Sequence, residues 1–167
     1  MMDKETTERQ EQDGRADFDF EVGRWKVRHR RLREWLKGAT DWEAFEGIAL
    51  SRKVLGGLGI IDEITNERAS GPTQGMTVRL FDPQAQQWSI YITDNVHGTL
   101  TPPMIGGFQQ GRGAFYAHEP IGGQHLLSRF LWMDITPTSY RWEQAFSADG
   151  GSTWETNWIQ EHIRLPE

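Results

Sequence analysis

The chain has no cysteine, so neither a disulfide framework nor a thiolate metal site is open to it. No apolar run approaches the length of a membrane-spanning helix. Residues 1–17 are charged and polar, without the apolar core of a secretory signal. These two absences lead us to expect a cytoplasmic protein. Positive charge is in the minority, 18 Lys and Arg against 24 Asp and Glu for a net −6, which disfavours nucleic acid as a general partner. The usual catalytic signatures are missing as well. His29, His97, His118, His125 and His162 form no H-E-x-x-H or H-x-H pair, so zinc has little support. "VLGGLG" and "GGFQQGRG" lack the G-K-[ST] of a phosphate loop and read as loops or strand bends. No G-x-S-x-G elbow exists.

What the chain does have is a heavy aromatic load, eight Trp and eight Phe in 167 residues, enough large side chains to line an interior or a pocket. Residues 1–16 lack periodicity and read as a flexible tail before one domain at 17–167. From there, short alternating or apolar runs are separated by turn signals every 8–12 residues or so, which predicts an all-β sandwich or barrel. Ten strands are expected, near 24–35, 42–52, 59–67, 74–81, 87–95, 104–110, 112–118, 125–135, 138–147 and 153–164. The connections are too short for parallel crossovers, so the wiring is an antiparallel meander. Closure into an up-and-down barrel removes its open edges. One basic run, "RWKVRHRRLR", puts six Arg or Lys into residues 24–33. It would suit an anionic ligand or nucleic acid, but alternation sends neighbouring residues to opposite faces, and most of it reads as a solvated outer surface.

"SADGGSTW", residues 147–154, matches the S-x-D-x-G-x-T-W box of sialidases and other propeller proteins. A propeller needs at least four blades of about 40–50 residues each, so a single box in a chain this short is expected to be a hairpin device. If residues whose numbers sum to 300 pair across it, Phe146 meets Trp154, Gln144 meets Thr156 and Trp142 meets Trp158. The same inward parity continues to Gln160 and His162. Arg141, Glu143, Glu155 and Asn157 then face outward, which leaves Glu143 and Glu155 as surface charge and not a catalytic pair. In 76–93, Met76, Val78 and Leu80 with Trp88, Ile90 and Ile92 form the natural interior set. The alternative puts Arg79 and Tyr91 in the cavity, where they would suit a carboxylate or phenol. Alternation from Trp25 turns His29 inward.

"FDFEVGRW", residues 18–25, resembles the G-x-W start of lipocalins, where a short turn plugs one end of the barrel and the Trp packs inside. That resemblance implies that Arg164, on the last strand, lies across Trp25. Together with "VLGGLG", "GMTVRLFDPQAQQWSIY" and "WMDITPTSYRWEQAFSADGGSTWETNW", the chain from about 17 to 164 resembles a bacterial family described as a domain of unknown function. The resemblance implies a lipocalin-like (calycin) β-barrel without an established reaction. Similar small barrels hold haem, as nitrobindin does, or fatty acids. The expectation is therefore a small, largely apolar molecule bound within walls formed by Trp25, Trp142, Phe146, Trp154 and Trp158. Gln144 and Thr156 would orient it and His162 would lie nearby, with Arg79, Tyr91 and His29 as weaker candidates. No catalytic set, metal or cofactor is expected. Haem is disfavoured because three tryptophans crowd the face that carries His162. Two alternatives stand beside this reading: an isomerase- or cyclase-like enzyme using one His or Tyr, and a homodimeric structural module with a filled barrel.

Overall fold

The computed structural model describes residues 13–167. Ten antiparallel strands close on themselves: β1 Gly23–Leu32, β2 Trp42–Val54, β3 Gly59–Arg68, β4 Gly71–Asp82, β5 Gln87–Asp94, β6 Met104–Gln109, β7 Arg112–Ile121, β8 Gln124–Met133, β9 Ser139–Ser147 and β10 Glu155–Arg164. Each strand pairs with its neighbours in sequence, and β1 pairs with β10 to complete the ring. Among the described residues no sheet edge is left open, and the single meander expected from the turn spacing is the one found. Among the described residues, no helix is long and apolar enough to cross a membrane. Of the tail read at 1–16, residues 1–12 lie outside the described residues. Gly14–Ala16 forms a 3-10 turn whose Gly14 carbonyl accepts from the Trp88 indole at 3.0 Å.

One end of the barrel is plugged by the stretch before β1. Phe18 is fully buried, with its ring 4.8–5.8 Å from those of Phe108, Trp88, Trp132 and Phe115. Trp25, also fully buried, donates its indole N–H to the Glu21 carbonyl at 2.8 Å. The Arg164 guanidinium lies 4.2 Å from the Trp25 ring centroid and donates to the Phe20 and Val22 carbonyls at 2.6 and 2.7 Å. The first and last strands therefore meet through the pair expected of them. Gly23 makes this approach possible. Its φ is +122°, and a Cβ there would come within 2.7 Å of Arg164.

Two registers differ from the sequence reading. Between β4 and β5, residues 83–86 form the loop, with Asp82 Oδ1 accepting from the amides of Gln84 and Ala85 and Gln86 at φ +53°. That loop pairs Asp82 with Gln87, so Thr77, Arg79 and Phe81 share the inner face with Ile92, Ile90 and Trp88. Met76, Val78 and Leu80 fall on the other parity, and Leu80 is exposed. A shift of one residue turns a whole strand over, and here it places a charge inside.

Between β9 and β10 the expected sum of 300 is also wrong. Phe146 faces Glu155 and Ala145 faces Thr156, and a bulge follows at Asn157. Beyond it Gln144 faces Trp158, and Trp142 faces Gln160. The bulge restores the even-numbered inward parity and turns Asn157 into the interior, fully buried, where it accepts from Gln144 at 2.8 Å. Glu155, also expected outside as a solvated charge, is half-buried and accepts the Leu36 amide at 2.6 Å. The 147–154 loop itself is tied as a hairpin device should be. Asp149 accepts from the Thr153 amide at 2.9 Å and from its hydroxyl at 2.6 Å, and Ser147 accepts from the Gly151 amide at 2.8 Å. The Thr153 bonds hold the Asp149 carboxyl down at about 2.

Candidate functional site

The barrel is not filled. A cavity of about 120 Å³ lies above the plug. Its apolar wall is Ile64, Ile90, Ile92, Phe130, Trp132, Trp142 and Trp158. The rings meet steeply, Trp142 against Trp158 at 5.3 Å and 89°, and Phe130 against Trp142 at 5.0 Å and 62°. Edge-to-face packing of this kind fixes the indoles as a rigid corner. Gln144, Gln160 and His162 interrupt the apolar wall. Gln144 Nε2 is engaged by Asn157, and the Gln160 carbonyl by His162 Nε2 at 2.8 Å. Among the described residues, Gln144 Oε1 and Gln160 Nε2 have no side-chain partner.

The floor is ionic. Arg79 donates to both Glu21 oxygens, to Asp62 at 3.0 Å and to the Thr77 hydroxyl at 3.1 Å. Thr77 also donates to Asp62, and the Tyr140 hydroxyl donates to Glu21 at 2.7 Å. Glu21, Arg79 and Tyr140 are each 3% exposed. Burial opposes the charge on Arg79, but Glu21 and Asp62 outweigh it and hold the guanidinium protonated. Burial, reinforced by Glu21, pushes the Tyr140 phenol up. Two carboxylates against one guanidinium leave the floor with a formal charge of −1. Its cation is already engaged by acceptors, so the floor repels an anionic ligand.

His162 stacks on Tyr140 at 4.2 Å and 16°, and its Nδ1 is buried without a partner among the described residues. Burial drives its pKa well below the ordinary histidine value, and the positive charge of Arg79 adds to this. His29 lies one layer nearer the open end. It stacks on Phe45 at 4.3 Å and accepts from the Trp158 indole at 3.0 Å. Burial is the main cause that lowers its pKa to about 4, and the nearby Asn66 side-chain oxygen works the other way. Gly47 leaves room for that Asn66 side chain, because a Cβ at 47 would overlap it. Among the described residues, no group of three metal-ligating side chains comes together.

Of the residues the sequence singled out, Trp142, Gln144, Trp158, His162 and Arg79 line the cavity. Trp25 and Phe146 are buried but lie behind it, Trp25 in the plug and Phe146 against Trp35 at 5.2 Å. Trp154 is no cavity wall, because it precedes β10 and packs on Tyr116 and beneath Arg129, 4.3 Å away. Thr156 faces Ala145 ahead of the bulge, on the parity opposite to Gln144. Tyr91 faces Val78 on the outer parity, so the imagined Arg79 and Tyr91 pair is not formed. Glu21, Asp62, Phe130 and Trp132 were missed. Alternation in β8 carries the signal for Phe130 and Trp132, whereas nothing local marks Glu21, whose partner Arg79 is 58 residues away. A porphyrin does not fit these residues: the cavity is of single-ring size, and His162 Nε2 is already bonded to Gln160.

Neither a protein-family model nor a curated protein matches the chain. Among solved structures, it is similar to a de novo designed fluorescence-activating β-barrel, at 11% identity and a TM-score of 0.48 over 88% of this chain and 95% of that one. It is likewise similar to EF1p2_mFAP2b bound to DFHBI, at 12% identity and a TM-score of 0.49 over 91% and 99%. At these values neither match lends a residue role or an activity to this chain.

Proposed function

We propose that this protein is a binding barrel for a small, largely apolar molecule about one ring in size. One observation carries the reading: a cavity with a rigid indole corner and, on one wall, two amide atoms, Gln144 Oε1 and Gln160 Nε2, that have no side-chain partner among the described residues. An apolar cavity of about 150 Å³ is known to take benzene, so about 120 Å³ sets the scale at a single ring. Gln144 Oε1 accepts from a hydroxyl or amine on that ring, and Gln160 Nε2 donates to one. The lipocalin-like affiliation draws support from Gly23 and Trp25 beneath Arg164.

The test is a titration with p-cresol and toluene, followed by tryptophan fluorescence and calorimetry. The expected result is saturable binding of p-cresol. Gln144→Leu should weaken it about five- to tenfold while leaving toluene unchanged. A signal that does not saturate, or that survives unchanged in both Trp142→Ala and Gln144→Leu, removes this reading.

A second reading, an isomerase-like barrel, is favoured by His162, a neutral buried imidazole on the cavity wall. In that reading His162 moves a proton on the bound ring. Its discriminating result is turnover that His162→Gln abolishes with p-cresol affinity intact.

A further inference from the structure

The basic run of β1 contains one residue that neither the outer surface nor the cavity accounts for. Alternation from Trp25 through Val27 and His29 brings Arg31 to the inner face at the open end of the barrel. There its guanidinium lies 4.1 Å from the Trp158 ring centroid and 5.7 Å from that of Trp35. Its neighbours' charges are already matched. Glu43, which faces it across β2, is bonded to Arg68, and Arg33 pairs with Asp41 at 3.1 Å. Among the described residues, no carboxylate or carbonyl accepts from Arg31. A half-buried guanidinium normally finds an acceptor, because its donors lose water on packing. Burial first, and then the nearby Arg68, disfavour its charge, while Glu43 and Asp94 favour it from beyond hydrogen-bond reach. Stacking also leaves its in-plane N–H groups free at their edges, the geometry that takes an oxyanion bidentately. The surrounding cleft, about 380 Å³, is lined by Arg31, Arg33, Arg68, Trp35 and Glu43, and with Arg33 and Arg68 paired, Arg31 is its one cation in excess among the described residues.

We propose that the mouth of the barrel is an oxyanion site built on Arg31, with Trp158 as the partition between it and the cavity. A carboxylate or phosphate binds in the plane of the guanidinium. The negative floor at Glu21 and Asp62 and the positive mouth at Arg31 together give the interior a direction, apolar ring inward and acid outward. The oxyanion is either the acidic group of the cavity ligand, a case that rests on the function proposed above, or a free anion.

Three probes separate these sources: 3-phenylpropionate, its neutral amide 3-phenylpropionamide, and inorganic phosphate, each measured by calorimetry on the wild-type chain, Arg31→Gln and Arg31→Lys. The expected result is about tenfold tighter binding of the acid than of the amide. That preference should shrink as salt rises, disappear in Arg31→Gln and return in part in Arg31→Lys. Phosphate binding that depends on Arg31, with no gain of acid over amide, supports the site with a free anion as its occupant. If the amide also fails to bind while phosphate does so through Arg31, the cavity reading falls and the mouth site stands. If neither acid nor phosphate depends on Arg31, the inference is overturned, and amide binding then still supports the cavity. Circular dichroism of both variants confirms that the barrel is intact.

Discussion

Arg79→Met is expected to lower the unfolding free energy by about 3–5 kcal/mol, because removing one partner of a buried ion pair strands the other. Here the stranded groups are two. Glu21, 3% exposed, would keep only the Tyr140 hydroxyl, and Asp62 would keep only Thr77. Both carboxylates would then face each other across the cavity floor without a counter-charge. Methionine fills most of the volume of the arginine stem, so the loss reports charge more than packing. Urea unfolding followed by tryptophan fluorescence measures it, and an unchanged m-value shows that the same two states are compared. Glu21→Gln alone should be milder, since Arg79 keeps Asp62. The Glu21→Gln/Arg79→Met pair should be less unstable than the two single losses summed. An Arg79→Met loss under about 1 kcal/mol would mean that water, not Arg79, satisfies the floor.

Acid should weaken the barrel well before its carboxylates are protonated. His29 is 2% exposed and its pKa falls from 6.5 to about 4. The unfolded chain therefore takes up that proton first as pH falls, and the stability tied to the neutral ring is complete above pH 6.5 and gone below about 4. The linked loss is about 3 kcal/mol from His29. His162 is shifted in the same direction and adds to it. The lowered carboxylates Glu43, Asp94 and Asp149 act in a lower window, Asp149 between 3.8 and about 2. Unfolding free energies at half-unit steps from pH 7.5 to 4 provide the check. A flat profile across that range contradicts buried neutral histidines. His29→Gln should flatten the part due to His29, at the cost of its bond to Trp158.

Alternation and turn spacing were enough to count ten strands and wire them as a meander, because each strand carries its own inward set and each turn its own residues; closure rested on the open edges it removes and on the resemblance of Trp25 and Arg164 to a lipocalin pair. They also placed Trp142, Gln144, Trp158 and His162 on one wall. They failed wherever a pairing had to be known to the residue. The loop at 83–86 sets β4 one position away from the apolar choice, and the bulge at Asn157 moves Thr156 off the face of Gln144. Local letters cannot fix such registers, since hydrogen-bonded ladders of either register satisfy the backbone equally. The deciding energy comes from partners across the barrel. Arg79 turns inward, against its hydropathy, because Glu21 and Asp62 await it from the plug and from β3. Among the described residues Arg31 has no carboxylate bonded to it, because Glu43 and Asp41 are drawn to other arginines. The sequence determined a closed aromatic barrel. Tertiary structure alone decided where its interior charges lie, because ion pairing joins residues that only folding brings together.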